Sequence, residues 1–420
     1  MDRSLGAWLA LLERRHPRTI DLGLERVAQV RRAAALTPSF PILTVGGTNG
    51  KGSTCAMLEA MLAFAGYRIG LYTSPHLIRY NERVRIGMRE ASDSMLIEAF
   101  ERIEAARAEV PLTYFEFGTL AAVDLFMRQG VEVAVLEVGL GGRLDAVNAF
   151  DPDCAVITTV DLDHMDYLGT TREQIGWEKA GIFRPGRPAL CCDQDPPASL
   201  IAHAREIGAR LQLISRDFGY RAGPHEWQYW SAHGKKSGLP HPALRGAYQL
   251  ANAAGAIAAL EAMRERLPVE MGAIRRALVE VSLPGRLQVL PGRPQVILDV
   301  GHNPQAARAL AAAVRSMPKA GSTIAVLGML ADKDLAGVVR ATADVVDRWV
   351  VCALSGPRGC PAERLAVAVR QARADATVEL SPDPASAYFR ARELAGDDDR
   401  IVVFGSFYTV GAVMQATGSG

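Results

Sequence analysis

A glycine-rich turn carrying one lysine, TVGGTNGKGST from Thr44 to Thr54, follows the short apolar segment 41–45. It runs at once into residues 55–62, a plausible helix. Strand, glycine loop and helix N-terminus together make a phosphate cradle. Backbone N–H groups and the helix dipole face an anion, and a lysine reaches the outer phosphates. The strict pattern G-x-x-x-x-G-K-[ST] is not met, because Gly52 stands between Lys51 and Ser53. That departure points to a particular kind of nucleotide enzyme.

Apolar, β-branched runs recur along the chain. Residues 42–45, 69–73, 131–138 and 155–160 read as buried strands, with helices over 94–108 and 117–129. Strands alternating with helices imply a mostly parallel α/β sheet, with ligands at the carboxyl ends of its strands. From Asp217 to Pro242 the texture changes. Trp227, Tyr229, Trp230, Gly234, Gly238 and three prolines predict hairpins or irregular structure within the first domain. A helix over 248–264 follows, and Leu283-Pro284-Gly285-Arg286 reads as a turn at a domain junction. A second alternating series comes after it. Strands are expected at 296–300, 323–327, 349–353 and 401–404, and helices at 305–316, 362–374 and 385–394. A chain of 420 residues exceeds one ordinary core, so two domains are expected, 1–284 and 285–420.

Composition removes several classes of function. With 47 basic and 46 acidic residues the net charge is +1, which leaves no electrostatic footprint for nucleic acid. No apolar run approaches the roughly 18 residues that a membrane span needs. The N-terminal apolar patch 5–12 runs straight into Glu13-Arg14-Arg15 without a small-residue cleavage site, which predicts an amphipathic helix rather than a signal peptide. The six cysteines (55, 154, 191, 192, 352 and 360) include no C-x-x-C pair. They read as buried thiols in a reducing cytoplasm rather than a zinc site.

Five places can carry chemistry. Lys51 is placed for phosphate, and Ser53 or Thr54 can offer a hydroxyl to a phosphate or its magnesium. Glu137 ends a buried strand before a glycine-rich stretch. It either caps that loop or serves as a hard oxygen ligand for magnesium. Asp161-Leu162-Asp163-His164-Met165-Asp166 follows another strand. It is either a polar turn or a site where His164 binds metal or carries a proton, and an imidazole there would suit manganese as well. Lys179 reads on its own as a helix-surface charge. Asp299 could accept ribose hydroxyls, and Asn303 would cap a helix beginning at Pro304.

Taken in order, the segments GTNGKGST, TSPHL (73–77), TYFEFGTLAA (113–122), LEVGLGGRLDAVN (136–148), DHMDYLG (163–169), EKAGIF (178–183), LPGR and DVGHNP (299–304) form a recognisable set. They resemble the bacterial dihydrofolate synthase/folylpolyglutamate synthase family, a folate-branch relative of the Mur peptide ligases. The N-terminal TIDLGLERV (19–27) is similar to the bifunctional bacterial form, and the resemblance covers nearly the whole chain. It implies an α/β fold, with an N-terminal P-loop NTPase-like Mur-ligase domain and a smaller C-terminal Rossmann-like domain. It also implies ATP-dependent ligation of L-glutamate to 7,8-dihydropteroate and to the γ-carboxylate of folates through an acyl phosphate.

The family's site residues carry over by motif. Asn49, Gly50, Lys51, Gly52 and Ser53 would hold the ATP phosphates, with Asn252, Arg286 and Asp299 as further ATP-binding positions. Ser74, Glu137 and His164 would ligate one or two magnesium ions, with potassium as a further cation. Lys179 matches the lysine that the family carbamylates. Lys51, Lys179 and His164 form the catalytic set. Thr113, Tyr114, Phe115, Glu116, Leu144, Asp145 and Ala146 match the pterin-binding segments. The resemblance further implies a cytoplasmic monomer acting on small molecules, without nucleic acid or membrane partners.

Competing readings separate by motif. A peptidoglycan Mur ligase shares the chemistry, but TYFEFGT and the N-terminal element favour folate. A folylpolyglutamate synthase without the dihydropteroate reaction, or a Mur-type ligase for another carboxylate, remains the alternative. A regulatory GTPase would want N-K-x-D, and the nearest string, Ala331-Asp332-Lys333-Asp334, lacks the asparagine. An inactive nucleotide-binding module is disfavoured, since no expected phosphate or metal residue is missing.

Overall fold

The computed structural model describes residues 4–16 and 20–418; Thr19, which opens the TIDLGLERV element, lies outside them. The chain divides into two compact units, Met1–Ala243 with Leu250–Val281, and Leu244–Gln249 with Ser282–Gly420.

The first unit is built on an eight-stranded sheet. Its strands are β1 (Ile42–Gly46), β2 (Ile69–Tyr72), β3 (Val84–Ile86), β4 (Arg89–Glu90), β5 (Val133–Glu137), β6 (Cys154–Ile157), β7 (Pro188–Cys191) and β8 (Arg210–Leu213). They lie in the order β4-β3-β2-β5-β1-β6-β7-β8. β2, β5, β1, β6, β7 and β8 run parallel, and β3 and β4 add an antiparallel edge. Every residue of β1, β2, β5, β6 and β7 is buried, as helices on both faces require, so these strands read as unbroken apolar runs. Register aligns the strand ends: Val45 pairs with Glu137 and Gly46 with Ile157. The carboxyl ends of β1, β5 and β6 therefore come level, with β1 between the other two. The loop that leaves β1 is the glycine-rich turn.

Local chemistry sets the helix boundaries. Ser4 caps Leu5–Arg15, whose apolar face buries Leu5, Trp8 and Leu12. That is the amphipathic pattern expected of residues 5–12. The helix Tyr114–Arg128 starts three residues earlier than its apolar period indicates. Thr113 and Glu116 form a reciprocal capping box there, with the Thr113 N–H donating to Glu116 Oε2 at 2.7 Å. Residues 217–242 fold as a three-stranded antiparallel sheet of β9 (Phe218–Ala222), β10 (Glu226–Ser231) and β11 (Gly234–Pro240). Trp227 and Tyr229 anchor it: Trp227 Nε1 donates to the Pro240 carbonyl at 2.8 Å, and the Tyr229 hydroxyl to Glu261 Oε2 at 2.9 Å.

The second unit holds β12 (Gln288–Leu290), β13 (Gln295–Asp299), β14 (Thr323–Leu327), β15 (Arg348–Cys352), β16 (Thr377–Ser381) and β17 (Arg400–Phe404), in the order β12-β13-β17-β14-β15-β16. All pair in parallel except β12 with β13. The helix at Pro304–Ser316 is capped by Asn303, whose side-chain oxygen accepts from Ala306 N–H at 2.9 Å. All six cysteines are buried and free. No described helix is long and apolar enough to cross a membrane.

Gly70, in the middle of β2, tests the packing of this sheet. A β-carbon there would lie 2.7 Å from the Phe126 ring. Gly70→Ala should cost about 1–3 kcal/mol through overpacking. The check is the shift of the urea midpoint against wild type, and an unchanged midpoint would show that the ring has room to yield.

Candidate active site

The glycine loop is shaped by what crowds it. Gly47 has φ +140°, and a β-carbon there would lie 1.9 Å from Thr158 Oγ1. Gly50 has φ +90°, and its β-carbon would lie 2.5 Å from Asn252 Oδ1. Only glycine fits either position. The end of β6 staples the loop in place. Thr48 N–H donates to the Thr159 carbonyl at 2.7 Å, Asn49 N–H to Thr159 Oγ1 at 3.1 Å, and the Thr158 hydroxyl to the Asn49 carbonyl at 2.6 Å. Gly50 then caps the helix Lys51–Phe64, in which Gly52 and Ser53 are buried in the first turn. Lys51 Nζ curls back onto the Gly47 and Thr48 carbonyls at 3.0 and 3.2 Å. Phosphate oxygens would be stronger, charge-assisted acceptors for the same ammonium.

The neighbouring strand ends bring oxygen and nitrogen donors to this level. Glu137, 4% exposed at the end of β5, accepts the Ser74 N–H at 3.1 Å and so ties the loop after β2 to its own carboxylate. His164 follows β6 with φ +51° and opens the one-turn helix Met165–Leu168. A left-handed histidine costs on the order of 1 kcal/mol, which the bonds around it must offset. Its N–H donates to Asp163 Oδ1 at 2.9 Å. Among the described residues, no group of three or more His, Cys, Asp or Glu side chains is arranged to hold a metal. The expected set is of another kind: one hydroxyl, one carboxylate and one imidazole. This fits a magnesium ion that completes its shell with water and substrate phosphate, and the imidazole fits manganese too.

Lys179 corrects its reading as a surface charge. It lies on the helix Arg172–Ala180 but is 4% exposed. Burial first, and then the charge of Lys51, bring its ammonium down to about 7, against the opposing pull of Asp163 and Asp145. Asp145 is 3% exposed, and burial pushes its carboxyl up to about 7 although the backbone N–H groups of Leu140 and Val147 donate to it. Lys51 acts on both groups. Lys51, Asp145, Asp163 and Lys179 therefore form one electrostatic cluster at the carboxyl end of the sheet.

The two expected pterin segments meet the N-terminal element. Arg26 pairs with Asp21 at 2.7 Å and with Glu116 at 2.9 Å, while Gly23 N–H donates to the Leu144 carbonyl at 3.4 Å. The Glu116 carboxylate is thus already engaged, by Thr113 N–H and by Arg26, and its part here is to shape the segment. Phe115 lies flat against Gly139, where a β-carbon would come within 2.6 Å of its ring, and Ala146 is buried at the start of the turn Ala146–Ala149. In the second unit, Asp299 Oδ2 and Oδ1 accept the Leu287 and Gly301 N–H groups at 3.0 and 2.8 Å. Arg286 acts on Asp299 electrostatically and stacks on Phe407, 5.1 Å from the ring centre. Residues not singled out from the sequence also belong here. Thr158 and Thr159 staple the loop, and two threonines ending an apolar run were the available signal. Half-buried Tyr248, beside Asp299 and Arg286, left none.

Residues 45–260 match the Mur ligase middle domain, and residues 285–407 match the Mur ligase glutamate ligase domain. The dihydrofolate synthase/folylpolyglutamate synthase of Escherichia coli strain K12 is 45% identical over 412 residues, which cover 98% of this chain and 95% of that protein. The chain belongs to the dihydrofolate synthase/folylpolyglutamate synthase family of Mur ligases. Solved structures agree with this membership. E. coli FolC in complex with DHPP and ADP superposes with TM-score 0.94 at 44% identity, over 99% of this chain and 98% of that one. A bifunctional folylpolyglutamate synthase/dihydrofolate synthase with Mn, AMPPNP and L-glutamate bound superposes with TM-score 0.91 at 44% identity, over the same shares. The mixed α/β architecture, two parallel-rich sheets in two units, is that of the family.

The depressed Lys179 amine has a measurable consequence. Unfolded, the lysine binds its proton up to about 10.5; folded, only up to about 7. Between those values the unfolded state holds more protons, so stability should rise with pH by at most about 1.4 kcal/mol per unit, and flatten below pH 7. Denaturation midpoints from pH 7 to 9.5 in bicarbonate-free buffer should rise more steeply for wild type than for Lys179→Met. Parallel curves would mean that the amine is not depressed.

Proposed function

We propose that this chain is an ATP-dependent ligase that joins the amine of L-glutamate to 7,8-dihydropteroate, giving dihydrofolate, and to the γ-carboxylate of folates. The observation that carries the reading is the glycine loop with Lys51, set level with Glu137 and Ser74. Near-full-length relatives named for these two activities support it. The rest follows from chemistry. A carboxylate is a poor acyl donor; transfer of the ATP γ-phosphoryl group makes it an acyl phosphate, and the glutamate amine displaces phosphate through a tetrahedral intermediate. The protein's work is then to align partners and to neutralise charge.

In this reading Asn49, Gly50, Lys51, Gly52 and Ser53 hold phosphates, and Asn252, Arg286 and Asp299 complete ATP binding. Asn252 already borders Gly50. Ser74, Glu137 and His164 would hold one or two magnesium ions, whose chemistry is to screen phosphoryl charge; potassium is a further cation of the proposal. The pterin segments are Thr113–Glu116 and Leu144–Ala146, and the boundary at 284/285 separates two domains of a cytoplasmic monomer. Lys179 is carbamylated. A buried amine half neutral near pH 7 can attack carbon dioxide, and the product is an oxygen-donor anion in place of a second ammonium beside Lys51.

Two measurements test the proposal. ADP and phosphate should appear when L-glutamate is supplied with dihydropteroate or with a folate and not when either partner is omitted, and turnover with a UDP-sugar peptide instead would sink it. Protein incubated with ¹³C-bicarbonate should show a carbamate carbon that Lys179→Met lacks, and that variant should lose at least about 100-fold in kcat. Wild-type activity in it would remove the carbamate from the mechanism.

A further inference from the structure

Beside the pterin segment lies a guanidinium that has no acidic partner. Arg83 ends the turn Tyr80–Arg83 and is half-buried. Its Cζ lies 5.4 Å from the ring centre of Tyr80 and 5.3 Å from that of Tyr114, and those two rings meet edge to face at 5.8 Å. Its Nε donates to His76 Nδ1 at 2.8 Å, so this imidazole nitrogen is an unprotonated acceptor. Its backbone carbonyl accepts the Thr73 N–H at 2.9 Å, which fixes it to the end of β2, one residue before Ser74. The adjacent acid, Glu82, is turned away: its oxygens accept the N–H groups of Leu77, Ile78 and Arg79 at 2.7, 2.8 and 2.6 Å. Among the described residues Arg83 makes no ion pair.

A guanidinium held on one edge by an imidazole and on its face by aromatic rings has its rotamer fixed in advance. It also meets the Tyr72 hydroxyl, and its remaining terminal N–H groups keep a planar edge that matches a carboxylate. Arginine without a counter-ion in a partly desolvated place is unfavourable unless a ligand supplies the anion. The reacting carboxylate of either substrate must reach the phosphate loop to be phosphorylated, and none of Arg83's contacts is with that loop. The substrates differ at this point. Dihydropteroate carries one carboxylate, the reacting one; a folate that reacts at its γ-carboxylate also carries an α-carboxylate that does not react.

We propose that Arg83 is the receptor for this non-reacting α-carboxylate, and so separates the folate reaction from the dihydropteroate reaction within one site. The inference rests on the ligase reading above. It makes Arg83 a specificity-determining residue, with Tyr80, Tyr114 and His76 as the frame that holds it.

Calorimetric titration in the presence of ADP tests this, because 7,8-dihydrofolate and 7,8-dihydropteroate share pterin and benzoate and differ only in the glutamate. Arg83→Met should weaken dihydrofolate at least about tenfold more than dihydropteroate, with the ADP affinity reporting that the phosphate loop is intact. Arg83→Lys, which keeps the charge but loses the fork, should fall between Arg83→Met and wild type, and it serves alone should Arg83→Met fail to fold. Equal weakening of both ligands, or none, would overturn the assignment. Wild-type turnover of the two substrates is measured alongside. A wild type that used neither would sink the ligase reading itself, whereas an active wild type with unselective Arg83 variants would sink the receptor alone.

Discussion

The site depends first on how tightly the end of β6 grips the glycine loop. Thr158 and Thr159 reach the backbone of Thr48 and Asn49 from the neighbouring strand, and the Thr158 hydroxyl occupies the place of a Gly47 β-carbon. A loop of so many glycines would otherwise sample many conformations, and ordering it costs roughly 1–2 kcal/mol of backbone entropy per residue. These bonds offset that cost before any ligand arrives. A phosphate group bound there, as proposed, would meet a fixed turn with one movable part, the Lys51 ammonium.

From that grip the rest of the site is built by strand order. β1 lies between β5 and β6, so the residue ending β5 and the loop after β6 flank the phosphate loop without a long-range device. Glu137 then draws in the loop after β2 by accepting the Ser74 N–H. The loop after β6 is clamped from its far side. Asp193 accepts the Val160 N–H at 2.6 Å, and Arg172 Nε donates to the Val160 carbonyl at 2.9 Å. His164 is four residues further on, in a segment whose entry is tied down at Val160.

Much of this was legible in the sequence, for an identifiable reason. Parallel strands buried on both faces leave long apolar runs, and strand-end motifs sit beside them, so the order of elements and the chemistry at their ends could both be read. Other features could not. β16 has the polar pattern Thr-Val-Glu-Leu-Ser and gives no apolar run. The helix Phe407–Thr417 is apolar on nearly every side and has no amphipathic period. Lys179 looked exposed because helix periodicity says nothing of what covers a helix, and here the cover comes from sequence-distant loops. Arg83 carried no signal at all, since its meaning lies in the absence of an acid near it.

The pair of buried Glu59 and half-buried Arg85 joins these parts. Glu59, 2% exposed on the helix that starts at Lys51, meets Arg85 Nε at 3.1 Å, and Arg85 lies on β3, two residues after Arg83. Burial raises the Glu59 carboxyl to about 7 against the pull of Arg85, so much of what the pair gains in attraction it loses in desolvation. Its value is therefore geometric rather than energetic. An apolar pair in the same place could slide, whereas this contact, whose meeting atoms are out of water, holds one register, because Glu59 left alone would be an uncompensated buried carboxyl. The helix behind the phosphate loop and the strand behind Arg83 are thereby held in a fixed relation. In the proposed reaction, a substrate reaching from residues 113–116 to the phosphate would meet both at a set separation, which is what a two-substrate acyl transfer requires of its scaffold.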